Sequence, residues 1–540
     1  MQRRTLRLHC KRLIRRASLA WVRNILQEEA TGAARRAADG KSSPDDRHSP
    51  PRRVRAASPR NPARRELPDP ATEAINQMAR HPNIVFILVD DMGYGDFSAF
   101  NEGLSRTPRL DALMQQGVCF TQHYSASPVC NPSRAALLTG RYPHRTGSID
   151  TLEWRGLDRL ALRETTLADI LKPAGYSTGL VGKWHLGAFD PRYHPNKRGF
   201  DETVCFRGGM HDYYNWRLEY DDDVRRADGR YLTDLWTEEA VRFIERHRSE
   251  PFFLHVTYNA PHTPLQAPEE EEALFSENED LTRGVAIIYG MLHRMDAGVE
   301  RILEALDRLG LSENTIVLFT SDNGPQFGGE GDMCITRFNC QFHGAKGSVY
   351  EGGIRVPMII RWPDGLPAGA EVHEMVHFCD WLPTILAMAG VKLPGDNLPL
   401  DGVNLLPVLR GEKGKVETKR FWQWNRYTPL VTCNAAMRDG DWKLVRPAIR
   451  EAMQVPDIHW LRVSMYEPEH FIANGIIRDP DPPREVPAPP PPELYNIAED
   501  PLELTNLVDK YPDIVHRMLR ELETWFEDVE AERASISDQV

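Results

Sequence analysis

From residue 82 onwards, the chain alternates continuous apolar runs with segments whose apolar residues recur at helical spacing. Apolar runs that end in polar groups predict strands buried on both faces of a sheet, and the spaced patterns predict amphipathic helices. Such alternation predicts an α/β fold with a large mixed, mostly parallel sheet sandwiched between helices. The predicted strands cover residues 83–91, 176–185, 251–262 and 314–324, and the predicted helices cover 165–175, 233–247 and 289–310.

The alternation weakens after about residue 412, so we predict a large domain over residues 82–412 and a smaller one over 413–540. The second domain has the pattern of antiparallel strands and turns followed by a helix from Pro512 to about Glu532. This pattern predicts an α+β domain that carries an antiparallel sheet. An insertion near residues 445–492 contains DPDPPREVPAPPPP and is predicted to be an irregular, polyproline-prone loop.

The first 81 residues differ in composition from the rest of the chain. Residues 1–77 hold 18 Lys and Arg against 8 Asp and Glu, whereas the whole chain has a net charge of −12. A basic segment with few apolar anchors is predicted to be a disordered extension. Two alternatives stay open: the tail binds nucleic acid or a membrane surface, or translation starts at Met78.

No secretion signal is legible, because basic residues interrupt the apolar stretch at residues 8–26. No apolar run approaches the roughly 18 residues of a membrane-spanning helix. We therefore expect a cytoplasmic protein without nucleic-acid or membrane partners, with a periplasmic or secreted location as the alternative. In an exported protein Cys334 and Cys340 could form a disulfide; otherwise they are two thiols in a loop.

Acidic and amide side chains follow two of the predicted strands. Asp90 and Asp91 end the first apolar run, and Asp322 and Asn323 end the last. Ligands of α/β sheets bind beyond the carboxyl ends of the strands, so these groups are expected at one site. Their oxygens suit calcium or magnesium, and a cation would relieve the repulsion between the carboxylates. Most such pairs, taken alone, are explained as a turn or a helix cap, whereas two pairs that each follow a buried strand favour a metal site.

Basic groups follow the other predicted strands. Lys183 and His185 stand two residues apart and are expected on the same side of an extended strand. His262 lies in a proline-flanked loop, and Lys346 lies in a glycine-rich one. Each of these residues has an ordinary explanation as a solvated lysine or a structural histidine. Together with Arg134 they could form a basic pocket for a tetrahedral oxyanion.

Cys130 precedes a proline by two residues and Arg134 by four, just ahead of the helix-like run at 135–138. By itself this pattern indicates either a small buried thiol at a helix start or the raw material of a catalyst. The stretch CNPSRAALLTG, however, resembles the Cys-x-Pro-Ser-Arg signature of type I, formylglycine-dependent sulfatases, and GYSTGLVGKWH resembles their second signature. PNIVFILVDDMGYGD, NAPHTPLQAP, TSDNG and KGSVYEGGIRVP follow in the order of that family, across about residues 82–510.

This resemblance to an arylsulfatase-like member of the alkaline phosphatase superfamily implies a mechanism. A maturation enzyme would oxidise Cys130 to formylglycine, whose hydrate attacks sulfur and later releases sulfate by collapsing to the aldehyde. Ca²⁺, with Mg²⁺ less favoured, would be held by Asp90, Asp91, the modified Cys130, Asp322 and Asn323. Arg134 would support the diol, Lys183 and Lys346 would hold sulfate oxygens, His262 would protonate the leaving oxygen, and His185 would deprotonate the second hydroxyl.

Three functional hypotheses follow from this resemblance. The first is a sulfatase that hydrolyses aryl or carbohydrate sulfates. The second is a formylglycine-dependent phosphonate monoester or phosphodiester hydrolase, and the third is an unmodified protein that binds sulfated ligands. The loops at 210–214 and 326–341 are predicted to choose the substrate, although the MHDYYNW run would serve equally as an ordinary aromatic surface loop.

Overall fold

The computed structural model describes residues 81–537, apart from residues 330, 331, 335, 413 and 415. The predicted basic extension therefore lies, except for its last residue, outside the described residues. All described residues belong to one compact unit, and the predicted domain boundary at residue 412 stays a prediction. Among the helices of this part of the chain, none combines the length and apolar character needed to cross a bilayer.

The described residues form eighteen strands. They are β1 (Asn83–Val89), β2 (Val118–Phe120), β3 (His123–Tyr124), β4 (Ser177–Lys183), β5 (Glu202–Phe206), β6 (Arg217–Tyr220), β7 (Asp223–Arg226), β8 (Phe252–Thr257), β9 (Thr315–Ser321), β10 (Gly328–Gly329), β11 (Asp332–Met333), β12 (Met358–Arg361), β13 (Ala370–Val372), β14 (Val376–His377), β15 (Lys419–Gln423), β16 (Ala435–Asp439), β17 (Trp442–Arg446) and β18 (Glu493–Asn496).

Thirteen α-helices complete the described residues, together with short 3₁₀ turns. They are α1 (Pro108–Gln116), α2 (Cys130–Thr139), α3 (Pro143–Thr146), α4 (Leu167–Leu171), α5 (Leu232–Arg246), α6 (Glu269–Ser276), α7 (Arg283–Arg308), α8 (Glu351–Ile354), α9 (Trp381–Ala389), α10 (Leu406–Leu409), α11 (Trp460–Tyr466), α12 (Glu469–Asn474) and α13 (Pro512–Ala534).

Ten of these strands, all within the described residues, form one mixed sheet in the order β13-β2-β12-β9-β1-β8-β4-β5-β6-β7. Its central strands β9, β1, β8, β4 and β5 run parallel to one another, whereas β12, β6 and β7 pair antiparallel. The predicted large, mostly parallel sheet is confirmed. Because Val89 is paired with Ser321, the residues that follow β1 and β9 leave the sheet side by side.

Both faces of this sheet are covered, because alternate residues of each central strand point to opposite sides. Along β1, Ile84, Phe86 and Leu88 belong to one hydrophobic core, while Val85 and Ile87 belong to another. Helices α2, α9 and α13 contribute to the first core, and α5 and α7 contribute to the second. The predicted sandwich of helices around the sheet is confirmed.

The C-terminal sheet is antiparallel, with the strand order β15-β16-β17-β18, as predicted. It packs on the same core as the large sheet, because Met437 and Leu444 cluster with residues of β1 and with Met518 and Leu522 of α13. The two sheets therefore share one continuous hydrophobic core.

The insertion at 445–492 is not irregular throughout, so that part of the prediction is wrong. Helices α11 and α12 lie within it. They form because Trp460, Leu461 and Phe471 pack against Trp154 and Phe189 of the large domain, and tertiary burial decides where short helices are stable. The proline-rich part, residues 479–492, has neither helix nor strand.

Lys443 of β17 forms a buried ion-pair cluster, which supplies a test of the C-terminal packing. Its Nζ lies 2.8 Å from Glu351 Oε1 and 2.8 Å from Glu503 Oε1, and its side chain has no exposed surface. Removing one partner of a buried ion pair leaves the other charges buried and unpaired, which typically costs about 3–5 kcal/mol. Lys443→Ala is therefore expected to lower the free energy of unfolding by about that amount, measured by urea denaturation.

The matched control is Lys419→Ala on β15 of the same sheet. Lys419 Nζ also lies 2.8 Å from a carboxylate, that of Glu521, but its side chain is 43% exposed. Solvent screens such pairs, so a change of at most about 1 kcal/mol is expected. Equal losses for Lys443→Ala and Lys419→Ala would contradict the account of the cluster.

Candidate active site

The four metal-ligand candidates meet at one edge of the large sheet. Asp90 and Asp91 follow β1, Asp322 and Asn323 follow β9, and all four side chains are buried. The Asp91 backbone N–H donates to Asp322 Oδ1 at 3.3 Å, and Asn323 Nδ2 donates to Asp91 Oδ1 at 2.8 Å. Asp91 adopts the left-handed φ of 66°, which turns the chain sharply at the end of the strand. The expected convergence is thus found.

These side chains fit a divalent cation. Among the described residues, Asp90 Oδ1 and Asn323 Oδ1 are buried without a hydrogen-bond partner. One ligand atom each from Asp90, Cys130 and Asp322 lie within 4.8 Å of one another, and Asp90 and Asp91 stand in the same relation to His262. Several carboxylate and amide oxygens in one cage are the ligands that Ca²⁺ and Mg²⁺ prefer.

Cys130 is the first residue of α2 and is buried. The helix forms because its apolar residues 135–138 pack into the first core, and Gly140 ends it in the left-handed conformation with a φ of 70°. Burial raises the pKa of the Cys130 thiol, although Lys183 and Lys346 act in the opposite direction. A thiolate is therefore disfavoured, which does not suit a cysteine that acts directly as a nucleophile.

Three cations each face one of the buried carboxylates. Arg134 Nε donates to Asp322 Oδ2 at 2.8 Å, and its Nη2 forms an ion pair with the same oxygen at 2.7 Å. Lys183 Nζ lies 2.6 Å from Asp90 Oδ2, and Lys346 Nζ lies 2.8 Å from Asp91 Oδ1. The basic residues predicted from scattered motifs are therefore brought together around the acidic ones.

The pKa values of Asp322 and Asp91 are shifted in opposite directions by these surroundings. Burial, followed by the charge of Asp90, raises the pKa of Asp322 to about 6. Burial also acts to raise the pKa of Asp91, but Lys346 and His262 outweigh it and hold that pKa well below its ordinary value. Negative charges crowded into one buried site favour the binding of a cation.

His262 lies beside this cluster. Its Nδ1 is 2.6 Å from the Thr263 carbonyl oxygen, so Nδ1–H donates there, and Nε2 lies 3.8 Å from Asp91 Oδ2. Burial, together with Lys346, lowers the pKa of His262 to about 3. Nε2 is therefore the ring nitrogen turned toward the acidic cluster, with its ring fixed by the loop backbone.

His185 does not occupy the expected position on an extended strand, so that prediction is wrong. Strand β4 ends at Lys183, and His185 has a left-handed φ of 56°. The turn is held by the His185 N–H, which donates to Arg207 O at 3.1 Å, and by Asn131, which donates to His185 O at 2.7 Å. The ring is buried, and burial lowers the pKa of His185 well below its ordinary value.

Comparisons with known proteins agree with this arrangement. The family model for Sulfatase matches residues 82–391, which is more than half of the chain. The chain belongs to the sulfatase family. A second family model, N-sulphoglucosamine sulphohydrolase, C-terminal, matches residues 342–457 of this sulfatase. The predicted recognition and enzyme class, an arylsulfatase-like sulfuric ester hydrolase of the alkaline phosphatase superfamily, are confirmed.

Individual relatives of the sulfatase are similar over much of its length. N-acetylgalactosamine-6-sulfatase of Mus musculus is 37% identical over 366 residues, which cover 61% of this chain and 67% of the relative. Steryl-sulfatase of Mus musculus is 32% identical over 453 residues, covering 67% and 69%. The crystal structure of Ps i-CgsB in complex with k-i-k-neocarrahexaose has a TM-score of 0.67 and 32% identity, covering 82% of this chain and 92% of that one.

Part of the loop that was predicted to choose the substrate has a supporting function in this sulfatase. Arg337 is buried and donates from Nη2 to the Asp91 carbonyl oxygen at 2.7 Å. Its Nε donates to Asp96 Oδ1 at 2.9 Å. This pair holds the turn after β1, and no local sequence pattern marks it. Cys334 and Cys340, both described and in the same loop, are not joined by a disulfide.

The aromatic run at 210–216 also supports the site. Tyr213 is fully buried, and its hydroxyl lies 2.7 Å from Asn259 O and 2.9 Å from His262 O. Trp216 is buried in the second core, whereas Tyr214 is 41% exposed. Tyr213 therefore positions the His262 loop, and Tyr214 is the aromatic ring of this run that solvent reaches.

Sequence reasoning missed Glu153. This buried residue lies in a 3₁₀ turn, and its Oε1 is 3.7 Å from His185 Nε2. Burial, followed by the charge of Asp158, raises the pKa of Glu153 to about 8. The segment TLEWRG around it has no motif of its own, so only the fold reveals that a carboxyl group lies behind His185.

Proposed function

We propose that this sulfatase hydrolyses carbohydrate or aryl sulfate esters with a formylglycine at position 130 and a divalent cation. The observation that carries the proposal is the position of Cys130, which lies with Asp90 and Asp322 in one cluster of potential metal ligands. The names of relatives give further support, because an N-acetylgalactosamine-6-sulfatase and a complex with a neocarrahexaose are both among them. Arylsulfatase J of Mus musculus is among them too, so we keep aryl sulfates in the proposal.

Conversion of Cys130 to formylglycine would explain why a buried, neutral thiol lies where the reaction needs a nucleophile. A buried neutral thiol is a poor nucleophile, and the ester that it or a simple alcohol would form must await attack by water. A hydrated aldehyde at the same position has two hydroxyls. One attacks sulfur, and the other can lose its proton so that the aldehyde reforms and sulfate leaves. We propose that a maturation enzyme supplies this aldehyde from Cys130.

Asp90, Asp91, Asp322 and Asn323 would hold the cation, with Ca²⁺ favoured over Mg²⁺ because of the several oxygen ligands. The cation would act as a Lewis acid on sulfate oxygens and would favour the ionised hydroxyl of residue 130. The ammonium groups of Lys183 and Lys346 would also donate hydrogen bonds to the sulfate oxygens and stabilise the charge that develops there. Arg134 would keep Asp322 oriented through the hydrogen bond from Nε and the ion pair of Nη2 with the same oxygen.

The two histidines would transfer protons in two different steps of the reaction. Nδ1 of His262 is held by Thr263 O, which leaves Nε2 to protonate the leaving oxygen. The negative charge of a bound sulfate ester favours the protonated ring that this step requires. His185 would then take the proton of the second hydroxyl of residue 130 and so start the release of sulfate.

The test is a turnover screen of the matured protein with an aryl sulfate, several sugar sulfates and a phosphodiester. Peptide mass spectrometry accompanies it, because conversion of a cysteine to formylglycine lowers the mass by about 18 Da. We expect modified residue 130 and release of sulfate. Turnover of the phosphodiester alone would favour a phosphonate monoester or phosphodiester hydrolase, and an unmodified protein that binds sulfated sugars without turnover would favour the binding protein.

His262→Ala is expected to discriminate between leaving groups. A poor leaving group needs a proton, so hydrolysis of sugar or alkyl sulfates should fall by about 10²–10⁴-fold, the usual contribution of a general acid. An activated aryl sulfate should be affected far less. The measurement is kcat/KM for one substrate of each kind, compared between the wild-type enzyme and the variant.

His144→Ala is the control for this prediction. His144 is also a buried histidine, but its Nε2 lies 2.9 Å from Gln423 Oε1 and it belongs to α3. Even if His144→Ala lowers stability, the ratio of kcat/KM for the sugar or alkyl sulfate to kcat/KM for the activated aryl sulfate should stay that of the wild-type enzyme. Equal losses on both substrates in His262→Ala would refute the assignment of the leaving-group acid.

A further inference from the structure

The environment of His185 contains a carboxyl group that the reaction scheme does not yet use. Among the described residues, neither ring nitrogen of His185 has a hydrogen-bond partner, although both are buried. The carboxyl group of Glu153 lies close to this ring, with Oε1 at 3.7 Å from Nε2. Hydrogen bonds of catalytic groups are often longer before substrate binds and tighten in the complex.

Oε1 of Glu153 is placed as a hydrogen-bond acceptor. The backbone N–H of Gly209 donates to this same atom. An oxygen that accepts from one N–H has a second lone pair for another donor. If His185 carries its proton on Nε2, Oε1 can accept that hydrogen bond as well. The partner of one ring nitrogen sets the tautomer, so Nδ1 would keep the free lone pair.

Gly208 and Gly209 allow this close approach. A methyl group added to Gly209 would lie 2.6 Å from His185 Cε1 and 2.9 Å from Glu153 Oε1. One added to Gly208 would lie 3.1 Å from Glu153 Oε2. Backbone without side chains therefore packs against the imidazole and the carboxyl group at once.

The insertion holds the turn that carries Glu153. Asp457 Oδ2 accepts from Trp154 Nε1 at 3.1 Å and from Arg155 Nε at 2.7 Å. The Ile477 N–H donates to Trp154 O at 2.7 Å. Residues 457–477 thus hold both residues that follow Glu153, and helix α11 within them packs against the same turn.

We propose that Glu153 is the positioning residue of His185, held in place by residues 457–477. Oε1 accepts the Nε2–H hydrogen bond and leaves Nδ1 as the base. The inference rests on the proposed function. In the step concerned, Nδ1 takes the proton of the second hydroxyl of residue 130, the electrons of that O–H bond form the carbonyl, and sulfate leaves with the electron pair of its C–O bond.

The experiment separates the two half-reactions with a nitrophenyl sulfate and the matured full-length enzyme. His185→Ala serves as the reference, because loss of the base should give a burst of nitrophenol equal to the enzyme concentration before a slow steady state. Glu153→Ala is expected to give the same burst and a steady-state rate lowered by about 10- to 100-fold, the usual effect of removing an orienting partner. The rate of the burst itself should stay that of the wild-type enzyme.

Glu153→Gln is the conservative variant that separates positioning from structure. Its amide keeps an acceptor oxygen in the position of Oε1, so it should turn over like the wild-type enzyme without a burst. Gly209→Ala should produce the burst with Glu153 intact, because its methyl group displaces the ring. Gly395→Ala is its control, since a methyl group there would meet no atom within 4 Å.

The outcomes distinguish this inference from the proposed function. Glu153→Ala without a burst, or Glu153→Gln as slow as Glu153→Ala, would overturn the positioning role while sulfate ester hydrolysis stands. A loss in both half-reactions together with a lower melting temperature would also overturn it, because that is a structural effect. A wild-type enzyme that releases no sulfate would overturn the proposed function, and this inference with it.

Discussion

Replacing Cys130 with alanine is expected to lower the turnover of sulfate esters by roughly 10⁵- to 10⁶-fold, the scale on which a covalent mechanism depends on its nucleophile. Alanine cannot be converted to an aldehyde, so no hydrated group would face the substrate. The remaining side chains would still bind the sulfate, because Lys183 and Lys346 are unchanged. The measurement is kcat/KM with an aryl sulfate, together with the affinity for a sulfated ligand.

Cys379→Ala is the control for this prediction. Cys379 is also a buried cysteine of the first hydrophobic core, in a 3₁₀ turn after β14, and the change removes the same sulfur atom. It should cost some stability and leave the turnover close to that of the wild-type enzyme. A Cys130→Ala variant that retains more than about a hundredth of the wild-type kcat/KM would exclude residue 130 as the nucleophile, given that scale.

The metal-ligand candidates could be located from the sequence because they follow the most regular part of the chain. The continuous apolar runs of β1 and β9 predict buried strands, and parallel strands bring their carboxyl ends to one edge. Asp90 and Asp322 could therefore be placed together although 232 positions separate them along the chain. Where a polar residue directly follows a strand, the apolar pattern that predicts the strand also predicts the position of that residue at the sheet edge.

His185 shows where this reasoning fails. Alternation along an extended strand predicts that Lys183 and His185 share a face, but the strand ends at Lys183 and the next residues turn. The turn depends on one backbone hydrogen bond to Arg207 and on the Asn131 amide. Both partners belong to other parts of the chain, so no window of sequence around His185 contains the cause.

The insertion illustrates the same limit on a larger scale. Proline and polar residues dominate its second half and predict an irregular loop, which is correct for residues 479–492. Its first half forms helices because Trp460 and Phe471 find apolar partners on the large domain. Helices of 7 and 6 residues are too short to be stable by propensity alone. Their existence therefore depends on contacts that a sequence pattern does not contain.

Glu153 and the Asp96–Arg337 pair could not be predicted for a related reason. A buried charged residue becomes recognisable only once its partner is known, and Arg337 is 241 positions from Asp96. Charged residues are common in loops, where most are solvated. The sequence therefore indicates the groups that we propose to contact substrate and cation, while the residues that orient those groups become visible only in the folded chain.

Asp322→Asn is expected to abolish stoichiometric metal binding and to lower turnover on the order of 10³-fold, since a bound cation contributes several kcal/mol of transition-state stabilisation. The amide keeps the size of the carboxylate but removes its charge from the cage formed with Asp90 and Asp91. Arg134 then loses the anion that it contacts at 2.7 Å, and its positive charge opposes the cation. The metal-to-protein ratio is measured by inductively coupled plasma mass spectrometry, alongside kcat.

Asp380→Asn is the matched control, because Asp380 is a buried aspartate that pairs with Arg420 in the first core. The same change of charge should destabilise the fold there and leave metal content and kcat unaltered. Chelation of the wild-type enzyme should reproduce the loss of activity seen in Asp322→Asn, and added Ca²⁺ should restore the wild-type enzyme but not the variant. Full turnover by a chelated enzyme without measurable metal would show that the acidic cluster does not serve a catalytic cation.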